Sequence, residues 1–371
     1  MAAAAAAARK TTTTTTKKKK KKKNTGISFI GRGKNSAVFS YKGMAVKLMC
    51  RSAHDNSCDV ELCMLKLGDK LKLGRVTPHI PRMLGGAEAT GLCGRSLLRL
   101  MPPGRRKAIT HIVCMEKLDC SLRDAITTHG IVSSDAQLRC VAFQVLFTLA
   151  ALTHLIPGLR HNDLSCHNVL VRRLPRPRAS YYIVPGIGMV RCVSNVRTCI
   201  ADFDFCHAAS CPFLHNQRVL SRRYSVRDDA NATYDTNLFL FSLRQSLAAS
   251  ASTTTTTTTT CAWLASLPIC DSPRASAPVP GLEPLTLLRG PFFASMRVRS
   301  TPAKKMAAYR ILTCRQLFDV SSVIRRASRA RRGLLVVDGR RGSPSSRRRG
   351  RRRCRGIRLA NHRPGRMVLR L

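Results

Sequence analysis

Residues 161–171 read His161-Asn162-Asp163-Leu164-Ser165-Cys166-His167-Asn168-Val169-Leu170-Val171, and this stretch decides the fold. It places an acid, Asp163, and a carboxamide, Asn168, five positions apart in a short loop, and an apolar run follows at once. A second segment, Ile200-Ala201-Asp202-Phe203-Asp204-Phe205, has the apolar character of a buried strand and ends on another acid, Asp202. We interpret the two segments as the two halves of one candidate site.

The chain is strongly and unevenly basic. Its 371 residues include 65 Lys and Arg against 19 Asp and Glu, which gives a formal net charge of +46. Residues 1–23 contribute +9 and residues 321–371 contribute +17, so the middle of the chain carries about +20. A chain of this length can bury a full core and form one large or two modest domains. The charge favours nucleic acid or acidic proteins as partners of the Lys- and Arg-rich tails.

The cysteines and the apolar runs argue against several classes of protein. There are 16 Cys but no C-x-x-C pair, the spacing that zinc knuckles and thioredoxin-like sites normally need. The start of the chain lacks the apolar segment of a secretory signal, and no run of 18 apolar residues predicts a membrane span. We therefore expect an intracellular protein with free thiols in a reducing compartment.

Low-complexity tails frame the part of the chain that is expected to fold. Residues 1–24, rich in Ala, Thr and Lys, and the Arg-rich residues 323–371 cannot form a packed core and are predicted to be disordered. Residues 25–118 and 119–322 are interpreted as two lobes. The Thr-rich residues 253–260 are interpreted as a surface insertion or linker in the second lobe.

Strand-like segments come first in the folded part and helices come later. Periodicity predicts strands at 27–30, 37–41 and 44–49, with further apolar segments at 97–101 and 111–115. It predicts a helix over 59–71, and a long apolar helix over 134–155 that Ser134 can cap. This order indicates an α+β fold with a small sheet-rich lobe and a larger helical lobe.

Two glycines, a lysine and a glutamate in the first lobe carry further chemistry. Gly31 and Gly33 follow a strand, where glycines let backbone N–H groups approach phosphate oxygens; an ordinary hairpin turn is the alternative. Lys47 lies in the apolar strand Met44-Ala45-Val46-Lys47-Leu48, and a solvated lysine is the alternative there. Glu61 follows 14 residues later in the predicted helix, where Asp55 and Asp59 compete with it as partners of the lysine.

Two later segments complete the set. His111-Ile112-Val113-Cys114-Met115-Glu116-Lys117-Leu118 has the form of a strand that runs into a hinge, although an ordinary strand-loop-helix connection fits as well. Asp235 lies at the start of an apolar helix within Tyr234-Asp235-Thr236-Asn237-Leu238-Phe239-Leu240-Phe241. It can cap that helix. The family resemblance described below implies another role, in which Asp235 anchors the 161–168 loop, and both roles can hold together.

The order of these residues resembles that of the eukaryotic-type protein kinase family. The matching positions are Gly31, Gly33, Lys47, Glu61, Asp163, Asn168, Asp202 and Asp235. The resemblance covers about residues 27–245. The long stretch of 33 residues between Asn168 and Asp202 and the Asp-Phe-Asp-Phe sequence resemble the serine/threonine kinases of large DNA viruses.

The resemblance implies a bilobal kinase fold that uses ATP and Mg²⁺, or Mn²⁺, to phosphorylate Ser or Thr hydroxyls of protein substrates. A viral kinase of this type would act in the host nucleus or cytoplasm, or in the virion. The implied catalytic residues are Asp163, as the base, with Lys47 and Glu61. The implied nucleotide-binding residues are Gly31, Gly33, Val38, Lys47, Met115, Glu116 and Leu118, and the implied metal ligands are Asn168 and Asp202. Phosphoryl transfer depends on positioning and charge neutralisation, so the acid and the amide must be rigidly spaced.

Several positions depart from the family pattern. Asn162 replaces an arginine that usually couples to a phosphorylated activation loop, and we therefore hypothesise constitutive activity. Ser165 replaces a lysine that contacts the γ-phosphate, and Asp204 replaces a glycine. No Ala-Pro-Glu segment lies between Asp202 and Asp235. The loop also resembles that of the atypical RIO kinases.

Two alternative functions stay open beside protein phosphorylation. A degenerate kinase fold could act as a scaffold or as a nucleic-acid-binding protein with little catalysis, and the basic tails and the missing Ala-Pro-Glu segment favour that hypothesis. A small-molecule phosphotransferase also uses the H-x-D-x-x-x-x-N spacing, but the hinge and the Asp235 helix weigh against it.

Overall fold

The structure, a computed structural model, describes ten stretches of the chain. They are residues 27–33, 36–50, 56–88, 109–221, 231–250, 258–270, 277–298, 308–311, 358–362 and 366–370. The predictions for residues 1–24, 97–101 and 253–257, and for most of residues 323–371, lie outside these stretches.

The first strands of the chain form a five-stranded antiparallel sheet. They are β1 Ile27–Arg32, β2 Ser36–Tyr41, β3 Met44–Cys50, β4 Met83–Glu88 and β5 Ile109–Glu116. Their order is β1-β2-β3-β5-β4, so β3 is the central strand. Lys42 and Gly43 join β2 to β3 with φ angles of 47° and 76°, as in the tight turns that match the twist of a hairpin. The strands predicted at 27–30, 37–41 and 44–49 are confirmed.

Helix α1, Ser57–Leu73, packs against this sheet and confirms the helix predicted over 59–71. Its buried face carries Val60, Met64 and Leu71 at helical spacing. Gly68 allows a close approach, because a Cβ at that position would lie 2.5 Å from the side chain of Ile80. Glu61 is buried in the same helix, with 1% exposure.

The later part of the chain is mainly helical. Its helices are α2 Leu122–Thr127, α3 Asp135–Leu155, α4 Gln217–Leu220, α5 Tyr234–Ser250, α6 Thr258–Ala265 and α7 Pro284–Arg289. Single 3₁₀ turns lie at Phe203–Phe205, Pro212–Leu214 and Pro291–Met296. The fold class is α+β, as predicted, with one hydrophobic core that runs from the sheet and α1 into α3 and beyond.

Helix α3 is the central helix of this core. Ser134 and Gln137 form a capping box at its start, which confirms the predicted cap. By length and composition α3 could also cross a membrane, although polar residues interrupt its apolar sequence. In the structure, however, 83% of its most apolar stretch is buried inside the protein, as in the core helix of a soluble protein.

A long hairpin fills the stretch between Asn168 and Asp202. Its strands are β7 Val169–Val184 and β8 Gly188–Ile200. Strand β6, Cys120–Ser121, pairs with the start of β7, and β9, Ala308–Arg310, pairs with its end in parallel. Phe143 and Phe147 of α3 pack edge-on against Tyr182, with ring centroids 5.0 and 4.8 Å apart. The long stretch between Asn168 and Asp202 therefore forms a sheet that covers α3.

Two segments have more regular structure than their composition predicted. The last threonines of the Thr-rich segment begin helix α6, because the Asp135 carboxylate accepts the backbone N–H groups of Thr259 and Thr260 at 3.2 and 2.9 Å. Within the Arg-rich stretch, β10 Arg358–His362 and β11 Arg366–Arg370 form an antiparallel pair.

Candidate active site

Lys47 and Glu61 form a buried ion pair between β3 and α1. The Lys47 Nζ atom lies 2.8 and 2.7 Å from the two carboxylate oxygens of Glu61. The residues are only 6% and 1% exposed. Burial alone would lower the pKa of Lys47, but the charges of Asp202 and Glu61 outweigh it and raise that pKa above its usual value. Burial raises the pKa of Glu61 to about 7, although the charge of Lys47 opposes that shift.

Asp202 joins this pair from the end of β8. Its Oδ1 atom lies 2.5 Å from Lys47 Nζ, and its side chain is 40% exposed, so the carboxylate also faces solvent. Its φ angle of 65° is left-handed, a conformation that Asp adopts more readily than most residues. Burial tends to raise the pKa of Asp202, but the charge and hydrogen bond of Lys47 lower it overall. Asp202 is therefore ionised at neutral pH.

Asp235 holds the backbone of the 161–168 loop. Its two carboxylate oxygens accept the N–H groups of His161 and Asn162 at 2.6 and 2.8 Å. Burial raises the pKa of Asp235, while the N–H groups that it accepts lower it. Asp235 could cap helix α5, anchor the 161–168 loop, or do both, and the structure shows its contacts to the loop.

His161 is a buried anchor of the same loop. Its Nε2 atom lies 2.9 Å from the carbonyl oxygen of Ala201, and its Nδ1 atom accepts the N–H of Asp163 at 3.4 Å. A carbonyl can only accept, so Nε2 carries the proton. The ring also packs on Phe203, with centroids 5.0 Å apart. The side chain therefore links the loop to the segment that carries Asp202.

Asp163 and Asn168 are coupled to each other and lie near Asp202. The Asn168 side-chain amide donates to the carbonyl oxygen of Asp163 at 2.7 Å and to its carboxylate at 3.0 Å. The N–H of Ala201 donates to the carbonyl oxygen of Asn168 at 2.9 Å. This bond continues the pairing of β7 with β8 beyond Val169 and Ile200. The hairpin thus brings the amide and the second acid to adjacent positions.

The oxygen atoms at this point suit a divalent cation such as Mg²⁺. Asn168 uses its Nδ2 group on Asp163, which directs its amide oxygen away from that carboxylate. Asp202 adds a partly exposed carboxylate. Mg²⁺ takes oxygen ligands and is usually held by one or two protein groups together with water and phosphate oxygens. The described residues contain no cluster of three or more His, Cys, Asp or Glu that could hold a metal without such additional ligands.

The predicted glycines lie at the end of β1. Gly31 lies next to a bulge in the pairing of β1 with β2, and a Cβ on Gly31 would meet nothing. A Cβ on Gly33 would lie 2.7 Å from the hydroxyl oxygen of Ser36. Val38 is half-buried against the core. Residues 34 and 35, between these positions, lie outside the described stretches.

The predicted hinge residues lie at the end of β5 and just beyond it. Met115 and Leu118 are buried, with 7% and 8% exposure. The Glu116 side chain is committed to the protein itself, because it contacts Arg197 at 2.7 Å and Arg172 at 3.6 Å and accepts the N–H of Arg82 at 2.9 Å. The N–H of Glu116 donates to the carbonyl oxygen of Arg82 at 2.9 Å, so any contact of Glu116 with a nucleotide is left to its main-chain carbonyl oxygen.

Arg218 is a site residue that sequence reasoning missed. Its Nη1 atom lies 2.7 Å from Oδ2 of Asp204, and it is only 6% exposed. Burial and the neighbouring charge of Asp202 raise the pKa of Asp204 to about 6, while Lys47 and Arg218 lower it. Arg218 has no signal in the sequence, because it is one of 65 basic residues and lies 14 positions from its partner.

Comparison with known proteins supports only a distant relationship. No protein-family model matches the chain. The chain is 29% identical over 118 residues to a protein of Acanthamoeba polyphaga mimivirus that is named "putative serine/threonine-protein kinase". The match covers 28% of this chain and 23% of that relative, so the chain spans about a quarter of the relative's length. The chain is thus similar, over that part, to a viral protein with a kinase name.

Proposed function

We propose that this protein is a serine/threonine protein kinase with a bilobal kinase fold, in which the five-stranded sheet and α1 form the smaller lobe. The contact that carries the proposal is that of Lys47 with both Glu61 and Asp202. A buried lysine that contacts two carboxylates from distant parts of the chain lowers the stability of the fold by its desolvation penalty, because the charged groups lose their contact with water. In a phosphoryl-transfer site it has a use, because it places one cation where a triphosphate binds.

Each side chain of the site then has a role. Lys47 binds the α- and β-phosphates of ATP, and Glu61 fixes its direction. Asp163 accepts the proton of the attacking hydroxyl, and the hydrogen bonds from Asn168 hold it in position. Asn168 and Asp202 hold Mg²⁺, or Mn²⁺, which neutralises the charge of the phosphates. These residues act by position and charge, as phosphoryl transfer requires.

ATP would lie between the sheet and the 161–168 loop. The glycine-containing turn at Gly31 and Gly33 covers the phosphates with backbone N–H groups. Val38, Met115 and Leu118 provide apolar contacts to the adenine, and the main chain at Glu116 and Leu118 provides hydrogen bonds. Proteins with accessible Ser or Thr residues are the substrates.

The direct test is transfer of labelled γ-phosphate from ATP to a panel of basic and acidic proteins with Mg²⁺ or Mn²⁺. We expect transfer by the wild type and its loss in Asp163→Asn and Lys47→Met. Lys70→Met, a change at an exposed lysine of α1, is the matched control and should keep full activity. Absence of transfer by the wild type, or equal transfer by the Asp163→Asn variant, would overturn the proposal.

A second candidate function is a kinase-fold scaffold without catalysis. Asp204 favours it, because a second carboxylate next to Asp202 adds negative charge where a triphosphate would bind. The two candidates differ in nucleotide binding. A kinase should show a rise in melting temperature with Mg·ATP, whereas a scaffold that has lost ATP should show none.

A further inference from the structure

A cavity lies away from most of the residues described above. It has a volume of about 390 Å³ and lies between the end of α1, helix α3 and the β7–β8 hairpin. Of the proposed nucleotide- and metal-binding residues, only Glu116 lines it. The volume falls within the range of small-molecule sites.

The lining of this cavity is strongly cationic. Lys72, Arg172, Arg178 and Arg197 line it, and Glu116 is the carboxylate among the lining residues. The cavity therefore holds an excess of positive charge. Clefts with one sign of charge and low-dielectric walls concentrate ions of the opposite sign.

Two of these arginines are forced together by the fold. Arg172 and Arg197 lie directly opposite each other in the pairing of β7 with β8, where like charges destabilise a sheet. Both approach the same oxygen, Oε2 of Glu116, at 3.6 and 2.7 Å. One carboxylate thus serves two guanidinium groups, each of which has several N–H donors.

The other two cations of the lining are Lys72 and Arg178. Neither Lys72 nor Arg178 forms an ion pair with a described carboxylate. Lys72 is half-buried at the last turn of α1, and Arg178 is exposed at the rim. Lys72 and Arg178 therefore add two positive charges to the one that Arg172 and Arg197 leave after pairing with Glu116.

The remaining polar lining of the cavity includes two side chains, His79 and Gln144, that are hydrogen-bonded within the protein. His79 lies 2.9 Å from the Tyr182 hydroxyl and 2.8 Å from the carbonyl oxygen of Thr198, and burial lowers the pKa of His79 to about 3. Gln144 accepts the backbone N–H of Thr198 at 2.8 Å and donates to the carbonyl oxygen of Val196 at 3.1 Å. These residues add no negative charge, and their hydrogen bonds hold the hairpin in place.

We propose that this cavity binds a small anion with several phosphate charges. Guanidinium groups bind phosphate oxygens through paired N–H donors, and lysine adds a point charge. Such an anion would balance the positive charge of the lining residues that the carboxylate of Glu116 does not neutralise. The ligand is a free polyphosphate or a compact metabolite with more than one phosphate group, since both present the same chemistry.

The test is calorimetric titration of the full-length protein with inorganic tripolyphosphate, pyrophosphate and orthophosphate, and with fructose 1,6-bisphosphate as the metabolite probe. We expect one saturable site, with an affinity that rises with the charge of the probe. In Lys72→Gln/Arg178→Gln the affinity should fall at least about tenfold, since charge-assisted hydrogen bonds are lost. At equal charge, tighter binding of the inorganic probe would identify a free polyphosphate as the ligand. Tighter binding of fructose 1,6-bisphosphate would identify a sugar phosphate.

The control variant removes two charges from the same hairpin outside the cavity. Arg176→Gln/Arg191→Gln changes two exposed arginines that do not line it and should retain the affinity. An equal loss in both double variants, or none in either, would show nonspecific binding by the basic chain and overturn the proposal. The single variants Lys72→Gln and Arg178→Gln give the same comparison if the double variant fails to fold.

Discussion

Arg218 contacts Asp204 in an ion pair with a distance of 2.7 Å between Nη1 and Oδ2. The same segment is held at two more points. The Asn162 side chain donates to the carbonyl oxygen of Phe205 at 2.9 Å, and Asn216 donates to that of Asp204 at 2.8 Å. Asn162 and Asp204 are two of the departures from the kinase pattern. Both side chains form contacts that hold the residues after Asp202.

We therefore predict that phosphoryl transfer does not depend on prior phosphorylation of the protein. Enzyme treated with phosphatase should retain its rate in a γ-phosphate transfer assay. Arg218→Gln should lower that rate about 10²-fold, because a shift of about 1 Å at a site of this kind has such an effect. Arg173→Gln, at an exposed position, is the control. Activity that depends on treatment with a second kinase would contradict the prediction.

Asp204 should also make stability depend on pH. Its pKa is raised from 3.8 to about 6 in the folded protein, so the folded state binds more protons than the unfolded state between these values. The contribution of Asp204 to stability is fully present below pH 3.8 and is lost as the pH rises through 6. From pH 4 to pH 7, the free energy of unfolding of the wild type should fall relative to that of Asp204→Asn by about 2–3 kcal/mol. Urea titrations of both proteins at each pH measure this difference, and parallel curves would refute it.

Removal of Lys47 should destabilise the protein as well as inactivate it. Lys47→Met leaves Glu61 buried without its cation, which costs about 3–5 kcal/mol of unfolding free energy at pH 8. The loss should shrink as the pH falls, because burial raises the pKa of Glu61 and the carboxyl can then bind a proton. Lys47→Met/Glu61→Leu should recover most of the stability at pH 8 but none of the activity. A double variant no more stable than Lys47→Met would contradict this account.

Asp235→Asn tests the contact between α5 and the 161–168 loop. The N–H groups of His161 and Asn162 each donate to a different carboxylate oxygen, and in Asn one of these oxygens is replaced by an NH2 group, which cannot accept. The free energy of unfolding should fall by about 1.5–3 kcal/mol, which is the range for hydrogen bonds to a charged group. The rate of phosphoryl transfer should fall while the circular dichroism spectrum of the folded state stays unchanged. An unchanged rate would show that the loop keeps its position without this carboxylate.

Gln144→Met tests how the long hairpin is held to α3. The change preserves the shape of the side chain but leaves the N–H and hydroxyl of Thr198 and the carbonyl oxygen of Val196 without this partner. A buried group without a partner costs about 1–3 kcal/mol, so the variant should unfold at clearly lower urea concentration. Gln217→Met, an exposed position of α4, is the control. Equal midpoints for the two variants would contradict the assignment.

The local helices and strands, and candidate site residues that share one loop, can be predicted from the sequence. They depend on residues that are close to one another along the chain. Alternation within β2, helical spacing in α1 and the Ser134 cap of α3 each involve residues a few positions apart. The same holds for Asp163 and Asn168, which share one loop. Lys47, Glu61 and Asp202 were predicted as a set from their order in the chain, and the structure brings these three side chains together.

Only the tertiary structure decided which distant groups meet. The packing of separate elements decides whether Asp235 contacts the loop and which partner Asp204 takes. It also decides how Arg172 and Arg197 share Glu116. The physical reason is that an ion pair or buried hydrogen bond forms wherever the fold brings a donor and an acceptor within about 3 Å. With 65 basic residues and 19 acidic ones, the sequence permits many such pairs, and the packing of the core selects among them.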